Sequence, residues 1–367
     1  MSEAPVTGEP DGRALRRGWT TGACATAATK SALSALFTGS FADPVAIELP
    51  GGQAPSFALA HEALAVDHAE AGIIKDAGDD PDVTHGALVI SIVRRGTPGS
   101  GIVFRAGPGV GTVTKPGLPL AVGEPAINPV PRRMMTEVTR QVCAAAGVAP
   151  DIEIAISIRN GEEIAKKTWN PRLGILGGLS VLGTTGIVVP YSCAAWIHSI
   201  HRGVDVARAL GLSHLVGATG DRSEQAARRR LGLPEEAYLD MGDFAGGLLK
   251  YVKAHPVADL TIAGGFAKIT KLAQGSLDLH SARSTANLGD LAERAAQLGA
   301  DPDTVSRIAQ SNTANEAAAI ASSAGIDLAA AIAEAARIKA ESVLGACGTR
   351  AHILIIDRSG AIIGESR

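Results

Sequence analysis

Short apolar runs, separated by Gly, Pro and Asp, occupy most of the first 165 residues of the chain. Such runs are typical of β-strands joined by turns, and here they read PVAIELP, FALAHEALAV, EAGIIKDAG, GALVISIV, GIVFRAG and DIEIAISI. Two helices are predicted among them, one of small residues from Thr20 to Phe37 and one around Met134 to Ala146. Thr20 or Thr21 suits the N-cap of the first helix. The pattern predicts an α+β N-terminal domain over residues 1–170.

From about residue 172 the pattern changes to short apolar runs that are each followed by a helical segment. The runs HLVGATG, AYLDMG and DLTIAGGF precede the segments DRSEQAARRRLG, DFAGGLLKYVKAHP and AKITKLAQG. Strand followed by helix, three times in succession, indicates βαβ units and a parallel sheet. Residues 287–345 are predicted to be helical, and HILIIDRSGAIIGES to form a closing strand or hairpin. The second domain, residues 171–367, is therefore predicted to be α/β, three-layered with a largely parallel sheet.

The uncharged stretch from Gly174 to Ile197 is long enough to span a bilayer. It contains five glycines and Pro190, which are poor material for a continuous helix. We therefore predict a buried Gly-rich strand and loop, followed by a helix. Residues 1–13, MSEAPVTGEPDGR, lack the apolar core of a signal peptide. No membrane is predicted as a partner.

Composition narrows the class of protein further. With 34 basic and 37 acidic residues the net charge is -3, which points to neither nucleic acid nor membrane. Aromatic residues make up 3% of the chain, too few to favour nucleic-acid binding by base stacking. No CxxC motif occurs, which fits a reducing cytosol and predicts a cytoplasmic location. The four cysteines lie far apart in sequence, at Cys24, Cys143, Cys193 and Cys347.

Open parallel sheets bind ligands outside the carboxyl ends of their strands. In the second domain these ends combine small residues or an acid with a helix N-terminus. A nucleoside-like cofactor suits such an edge, because acids accept hydrogen bonds from ribose hydroxyls and a helix N-terminus attracts a carboxylate. The predicted cofactor-binding residues are Thr219, Gly220, Asp221, Gly242, Asp243, Gly264 and Gly265.

Two Thr-Gly turns and one Gly-rich loop are candidates for binding anions. Thr20-Thr21-Gly22 precedes a helix, and the stretch Gly183–Gly186 repeats its chemistry; an ordinary N-cap is the alternative. The loop Gly107–Thr112 lacks both the Lys-Ser/Thr of a P-loop and the dinucleotide spacing, so it either lines a ligand or is only a turn. A polycarboxylate ligand would recruit basic residues near these loops. They are Arg16, Arg17, Lys75, Arg105, Lys115, Arg132, Arg133, Lys268 and Lys271.

Four carboxylates, Asp76, Asp79, Asp80 and Asp82, occur within seven residues after a predicted strand. They could form a solvated turn or act catalytically on protons, whereas their spacing does not match a calcium loop. His198 and His201 stand three residues apart on a predicted helix, without the further ligand that a metal site needs. No metal site is predicted, and the histidines are interpreted as solvated or capping.

Six segments in this order resemble one known family, the CbiD family of cobalt-precorrin-5B C1-methyltransferases. They are RGWTTGACATAATKSAL, KDAGDDPDVTHG, GPGVGTVTKPGL, GEPAINPVPR, GILGGLSVLGTTGIV and GGFAKITKLAQG. The similarity covers residues 13–275 and extends more loosely to the C-terminus. The stretch PYSCAAWIHSIHR departs from the family pattern, in which acidic residues often follow the proline. The role of that helix, with His198 and His201, therefore stays open.

The resemblance implies methyl transfer from S-adenosylmethionine to C1 of cobalt-precorrin-5B, giving cobalt-precorrin-6A in corrin-ring biosynthesis. Such a transfer is an in-line displacement, which needs two reactants held in line more than a strong acid or base. A carboxylate of Asp76, Asp79 or Asp80 would stabilise positive charge or accept a proton. The acetates and propionates of the macrocycle would meet the predicted substrate-binding residues. These are Thr20, Thr21, Gly22, Gly109, Gly111, Lys115, Arg132, Thr184, Thr185 and Lys268.

Two other functions fit the residues less well but are distinct in kind. One is an ATP-dependent small-molecule kinase that cradles phosphates with the loop Gly107–Thr112 and the helix after Thr20. The other is a non-catalytic carrier of a labile precorrin. Beyond the tetrapyrrole substrate, the expected partners are other corrin-pathway enzymes, by substrate hand-off, and further copies of the chain in a homo-oligomer.

Overall fold

The computed structural model describes residues 14–366 and divides the chain into two compact units, Met1–Cys193 and Ala194–Arg367. The expectation about a signal peptide concerns residues 1–13 and lies outside the described residues. The helices of unit 1 are α1 (Thr21–Thr38), α2 (Pro129–Ala145) and α3 (Gly161–Ala165). Its strands are β1 (Gly18–Trp19), β2 (Val45–Ala46), β3 (Ser56–Phe57), β4 (His61–Leu64), β5 (His68–Ile74), β6 (Leu88–Arg95), β7 (Ile102–Ala106), β8 (Gly109–Val110), β9 (Thr112–Val113), β10 (Ile152–Ile158), β11 (Ile175–Leu176), β12 (Gly178–Leu179) and β13 (Ile187–Val188).

The main sheet of unit 1 has the strand order β4-β5-β6-β10-β7. Its pairs are antiparallel except β10 with β7, which run parallel. Helix α1 packs on β5, β6 and α2, and its Ala, Thr and Ser side chains are buried on almost all sides. Small residues let the helix backbone approach the sheet closely, which explains why the helix lacks an amphipathic pattern. Ile154, Ile156 and Leu33 are fully buried in this core, and the burial of each side chain stabilises the fold by about 1.5–3 kcal/mol.

Three short strands of the uncharged Gly-rich stretch pair with unit 1. Strand β11 pairs with β9, β12 with β8 and β13 with β1. The compact units therefore divide after Cys193, later in the chain than residue 170, where the pattern predicted a boundary. Within residues 14–366, no helix is long and apolar enough to cross a membrane.

Unit 2 alternates strands and helices and then becomes helical before its closing hairpin. Its helices are α4 (Cys193–Ala209, whose first residue belongs to unit 1), α5 (Asp221–Leu231), α6 (Ala245–Ala254), α7 (Phe266–Ala273), α8 (Leu288–Gln297), α9 (Pro302–Ala309), α10 (Ala314–Ser323) and α11 (Leu328–Leu344), with a 3-10 turn at Glu235–Ala237. Its strands are β14 (His214–Ala218), β15 (Tyr238–Asp240), β16 (Asp259–Gly265), β17 (Arg350–Ile356) and β18 (Ile362–Glu365).

The sheet of unit 2 has the order β15-β14-β16-β17-β18. The first four strands are parallel and β18 closes the sheet antiparallel, so the closing hairpin belongs here. The chain moves from β14 outward to β15 and then crosses to β16 on the other side of β14. The sheet therefore has a topological switch point between β14 and β16, where ligands of open α/β sheets bind. The protein is a mixed α/β chain with two sheet-containing parts.

Candidate active site

The carboxyl ends of β14, β15 and β16 form one continuous edge in unit 2. Thr219 N donates to the Ala263 carbonyl at 2.9 Å, beyond the end of β14. Met241 N donates to the Ala218 carbonyl at 2.8 Å, which ties the turn after β15 to the same place. Because of these bonds, the structure brings the seven predicted cofactor-binding residues together at the switch point: Thr219, Gly220, Asp221, Gly242, Asp243, Gly264 and Gly265.

The glycines of this edge differ in what surrounds them. A Cβ added at Gly220 would meet no atom within 4 Å, and one at Gly265 would have its nearest neighbour at 3.9 Å. Both positions therefore leave open space beside the backbone. At Gly264, by contrast, a Cβ would lie 2.9 Å from the Thr219 side chain, so this glycine serves close packing between β14 and β16.

Lys268, predicted to bind substrate, lies among the predicted cofactor residues. Its ammonium Nζ donates to the Thr219 carbonyl and is also 3.0 Å from Asp243 Oδ1. That carboxylate oxygen is buried and has no hydrogen bond of good geometry, so the contact with Lys268 is an ion pair. With 21% of its side chain exposed, the Asp243 carboxylate can still accept a hydrogen bond from a hydroxyl group.

Trp196 is a member of this edge that the sequence analysis missed. Its indole Nε1 donates to the Asp240 carbonyl at 3.2 Å, and its ring lies over Gly242. A Cβ on Gly242 would be 3.4–3.5 Å from three indole atoms, and Phe244 lies beside the indole with ring centroids 6.4 Å apart. Trp196 is nevertheless 44% exposed. Two features of the sequence could have pointed to it. It is one of only three tryptophans in the chain, and it lies in the segment that departs from the family pattern.

In unit 1, the loop after β5 carries the predicted catalytic carboxylates. The Arg16 guanidinium forms a two-pronged ion pair with Asp76, and one of its bonds, Nη2 to Oδ1, measures 2.9 Å. Hydrogen bonds from Arg16 and from Gly78 N lower the pKa of Asp76 to about 2. Asp79 Oδ2 accepts from Arg16 N at 2.6 Å. Asp76 is therefore ionised at neutral pH, which suits stabilisation of positive charge better than acceptance of a proton.

The rest of the loop is also held by its carboxylates. Asp80 Oδ1 accepts from Tyr191 N at 2.8 Å, and Tyr191 has a positive φ of 54°. Asp82 Oδ2 contacts the buried Lys75 ammonium at 2.5 Å, while its Oδ1 accepts from Thr84 N and Oγ1. The structure thus places Asp76, Asp79 and Asp80 on one loop, and each has a partner within unit 1.

The two predicted Thr-Gly turns contact each other. Thr20 Oγ1 caps α1 by accepting from Ala23 N, and Gly22 N donates to the Leu182 carbonyl at 2.9 Å. A Cβ on Gly183 would lie 2.2 Å from Thr20 Oγ1. Two amides of the first helical turn therefore already have acceptors within the chain. Thr21 is buried, whereas Thr184 and Thr185 are exposed at the surface.

The glycines of the loop Gly107–Thr112 make close contacts with neighbouring backbone. Gly109 has φ +79°, and a Cβ there would lie 2.0 Å from the Ile158 carbonyl oxygen. At Gly111 a Cβ would lie 2.5 Å from the Ile175 side chain, and Gly109 and Gly111 are both buried. This geometry assigns both glycines to chain packing.

Two basic residues predicted to bind substrate also have contacts within unit 1. The Arg132 guanidinium donates to the Ile127 and Pro125 carbonyls and to Glu124 Oε2, at 2.7, 3.0 and 2.8 Å. Arg132 therefore fixes the entry into α2. Lys115 is partly buried, and its aliphatic stem lies against Gly174.

His201 belongs to an aromatic stack in unit 2. Its ring stacks on Tyr251 with centroids 3.8 Å apart, and its Nε2 lies 3.3 Å from the Gly247 carbonyl. Burial lowers the pKa of His201. His198 lies beside it, with ring centroids 6.4 Å apart. Across residues 14–366, no group of three or more His, Cys, Asp or Glu side chains could hold a metal ion.

An open surface groove of about 900 Å³ lies in unit 2, beside the hairpin of β17 and β18. Phe266, Thr313, Asn315, Ile326 and Arg358 are among its lining residues. Phe266, which follows Gly265, connects it to the strand-end edge. None of the predicted site residues lines this groove.

Unit 2 is therefore an open α/β unit with open glycines, an acid and an indole at its switch point, the place where α/β sheets bind ligands. Comparison with known proteins gives the family. The CbiD family matches residues 8–190, and the CbiD C-terminal domain matches residues 278–367. The chain belongs to the CbiD family. The strand-end residues lie between the two matched segments.

Curated relatives match nearly the whole chain. A protein of Rhodospirillum rubrum is 61% identical over 355 residues, which cover 97% of this chain and 98% of the relative. Proteins of Brucella canis and Brucella anthropi are each 59% identical and cover 98% and 99% of this chain, and 98% of their own lengths. All three are named cobalt-precorrin-5B C(1)-methyltransferase. The predicted family is thereby confirmed, and these names support neither the kinase nor the carrier.

A solved structure is also similar, the crystal structure of the cobalamin biosynthesis protein CbiD from Archaeoglobus fulgidus. It is 24% identical to this chain and covers 85% of it and 86% of its own chain, with a TM-score of 0.39.

Proposed function

We propose that this chain is a cobalt-precorrin-5B C1-methyltransferase, which converts its substrate to cobalt-precorrin-6A in corrin-ring biosynthesis. One observation carries the proposal: relatives with that name are about 60% identical over nearly the whole length of both chains. Identity at this level over 98% of each relative supports the same reaction for this chain.

The methyl donor that we propose is S-adenosylmethionine, held at the strand-end edge of unit 2. Two observations fit this molecule to the edge. Gly220 and Gly265 leave open space beside the backbone, and the Asp243 side chain is 21% exposed, so its carboxylate can accept a hydrogen bond from a ribose hydroxyl. The first amides of α5 and α7 have no partners within their helices, so a carboxylate can bind there.

When bound, S-adenosylmethionine supplies a methyl group on a positively charged sulfur. The macrocycle would supply the electron pair of the new bond at C1, and the electron pair of the sulfur–carbon bond would stay on sulfur. The protein has to hold donor and acceptor in line and exclude water. Lys268 fixes the edge by bridging the Thr219 carbonyl and Asp243.

For unit 1 we propose that the loop from Asp76 to Asp80 supplies negative charge toward the macrocycle. The low pKa of Asp76 favours an ionised carboxylate that stabilises positive charge. Among the predicted substrate contacts, the exposed Thr184 and Thr185 are available for the macrocycle acids. Gly109, Gly111 and Arg132 act by holding the surrounding chain.

The proposal includes a cytoplasmic location, hand-off of substrate and product to other enzymes of the pathway, and assembly with further copies of the chain. The location is supported by the four cysteines, all of which are free thiols.

Two measurements test the proposal on the full chain. Calorimetric titration with S-adenosylhomocysteine should give binding in the micromolar range, and ATP with Mg²⁺ should give none. Incubation with cobalt-precorrin-5B and isotope-labelled S-adenosylmethionine should then give a product that carries one additional labelled methyl group at C1. Binding of ATP alone, or an unlabelled tetrapyrrole recovered unchanged, would contradict the proposed reaction.

A further inference from the structure

The indole of Trp196 is held in a fixed orientation by the turn that follows β15. Its Nε1 donates to the Asp240 carbonyl at 3.2 Å, and Gly242 lies under the ring. Gly242 has φ +56°, and a Cβ built at this position would be in ordinary van der Waals contact with the ring at 3.4–3.5 Å, so the indole packs directly against the turn. An aromatic ring placed in this way is preorganised, because little rotamer entropy remains to be lost on binding.

The indole is unusual in combining this fixation with exposure. Tryptophan is largely buried in most folded proteins, yet this residue is 44% exposed. Within residues 14–366 the indole forms no cation–π contact, and its N–H already has an acceptor. What remains accessible is the apolar surface of a flat ring, which matches the flat face of another ring.

The turn beneath the indole leads directly to the proposed methyl-donor site. Asp243 follows Gly242 in sequence and contacts Lys268, which in turn contacts the carbonyl of Thr219 at the switch point. A nucleoside whose ribose hydroxyl bonds to Asp243 therefore has its base within reach of the neighbouring ring.

We propose that Trp196 is the platform on which the adenine ring of the methyl donor stacks. The proposal rests on the proposed function, because it assigns a part of the donor to a residue of the same edge. Stacking is attractive through the ring face and does not require a charge on the ligand. The adenine is common to S-adenosylmethionine, S-adenosylhomocysteine and adenosine, so the indole should contribute similarly to the binding of all three.

The experiment compares two ring variants with the parent protein. Trp196→Leu keeps an apolar side chain but removes the ring, and Trp196→Phe keeps a ring. Trp169→Phe is the matched control, since Trp169 belongs to unit 1 and is partly buried. Far-ultraviolet circular dichroism of each variant checks that the fold is retained, and affinity is measured by calorimetry with each of the three adenosine ligands.

We expect Trp196→Leu to bind all three ligands about 10-fold more weakly, the size of effect that removal of a base-stacking aromatic ring has. Trp196→Phe should stay within about 3-fold of the parent, and Trp169→Phe should bind as the parent does. Ligand binding should also change the fluorescence of the parent and of Trp169→Phe, but much less that of Trp196→Phe.

Three results would overturn the proposal. If the parent binds S-adenosylhomocysteine and folded Trp196→Leu binds it equally well, the platform is refuted while the proposed function stands. If Trp196→Leu weakens S-adenosylmethionine but leaves S-adenosylhomocysteine and adenosine unchanged, the indole contacts the sulfonium and not the adenine. If the parent binds none of the three, both the platform and the proposed donor fail.

Discussion

Replacing Asp82 by asparagine removes one charge of the ion pair that holds the acidic loop of unit 1. The Lys75 ammonium lies 2.5 Å from Asp82 Oδ2, and the two side chains are 2% and 25% exposed. Burial raises the pKa of Asp82, but Lys75 and the bonds from Thr84 outweigh this effect and lower it. Asparagine keeps an oxygen that can accept the hydrogen bond from Thr84 N, which measures 2.7 Å in the parent protein. The variant therefore removes the negative charge and retains this hydrogen bond.

The expected loss follows from the burial of the ammonium that is left behind. Removing one partner of a buried ion pair costs about 3–5 kcal/mol, because the remaining charge is uncompensated. Since a quarter of the Asp82 side chain is exposed, water can reach the pair, and we expect the lower end of the range. The predicted decrease in the free energy of unfolding is about 3 kcal/mol.

Urea unfolding, followed by tryptophan fluorescence, measures this loss in unit 1. The variants are made in a Trp196→Phe background, where the remaining tryptophans, Trp19 and Trp169, both belong to unit 1. With a urea dependence of about 2 kcal/mol per molar, the midpoint should fall by about 1.5 M. Asp67→Asn serves as the control, since Asp67 is 72% exposed and its replacement should change stability by about 0.5 kcal/mol or less.

The double variant of Lys75→Met with Asp82→Asn separates the charge from the packing. It removes both charges, so at least half of the lost stability should return. Equal midpoints for Asp82→Asn and the exposed control would refute the reasoning. A double variant less stable than Asp82→Asn would show that Lys75 contributes through its packing and not through the ion pair.

Other predictions follow from single residues. Hydrogen bonding by Arg350 holds the pKa of Asp259 at about 2. The ionised carboxylate therefore stabilises the fold above pH ~4, and this stabilisation is lost as the pH falls toward ~2. Asp259→Asn should flatten that part of the dependence of stability on pH, measured by urea unfolding. Gly109→Ala should destabilise unit 1 by at least ~2 kcal/mol in thermal unfolding, whereas Gly123→Ala, which meets no atom within 4 Å, should cost about 1 kcal/mol. Asp76→Asn should slow methyl transfer about 10-fold without changing the rate profile between pH 5 and 9; a lost inflection would instead identify a proton acceptor.

Much of the strand-end edge could be predicted from the sequence. Each apolar run followed by a helix is a βα unit, and parallel strands put their carboxyl ends on one side, so Thr219, Gly242 and Gly264 could be expected together. The position of Lys268 among them could not be predicted. The direction of a lysine side chain at the start of a helix depends on the neighbouring strand, which the sequence does not show. Trp196 was missed for a similar reason: it comes from a helix outside the βα pattern.

Unit 1 was harder to predict in detail. Strands β11, β12 and β13 have two residues each, too few to show a hydrophobic period, so their pairing with β9, β8 and β1 could not be predicted. The glycines of a loop are equally ambiguous, since a glycine that faces a ligand and one that faces another backbone look the same. Gly109 and Gly111 lie against neighbouring chain, which only three-dimensional distances reveal.

The order of strands in unit 2 has a consequence for synthesis on the ribosome. Strand β16 is flanked by β14, which precedes it, and by β17, which begins only at Arg350. Until β17 has emerged, the apolar strand β16 is an open edge whose N–H and C=O groups are unpaired and can pair with another chain. Unit 1 has all of its strands by Val188 and can fold while this happens. A nascent chain stalled between α8 and α11 is therefore the form of this protein most exposed to aggregation and most dependent on chaperones.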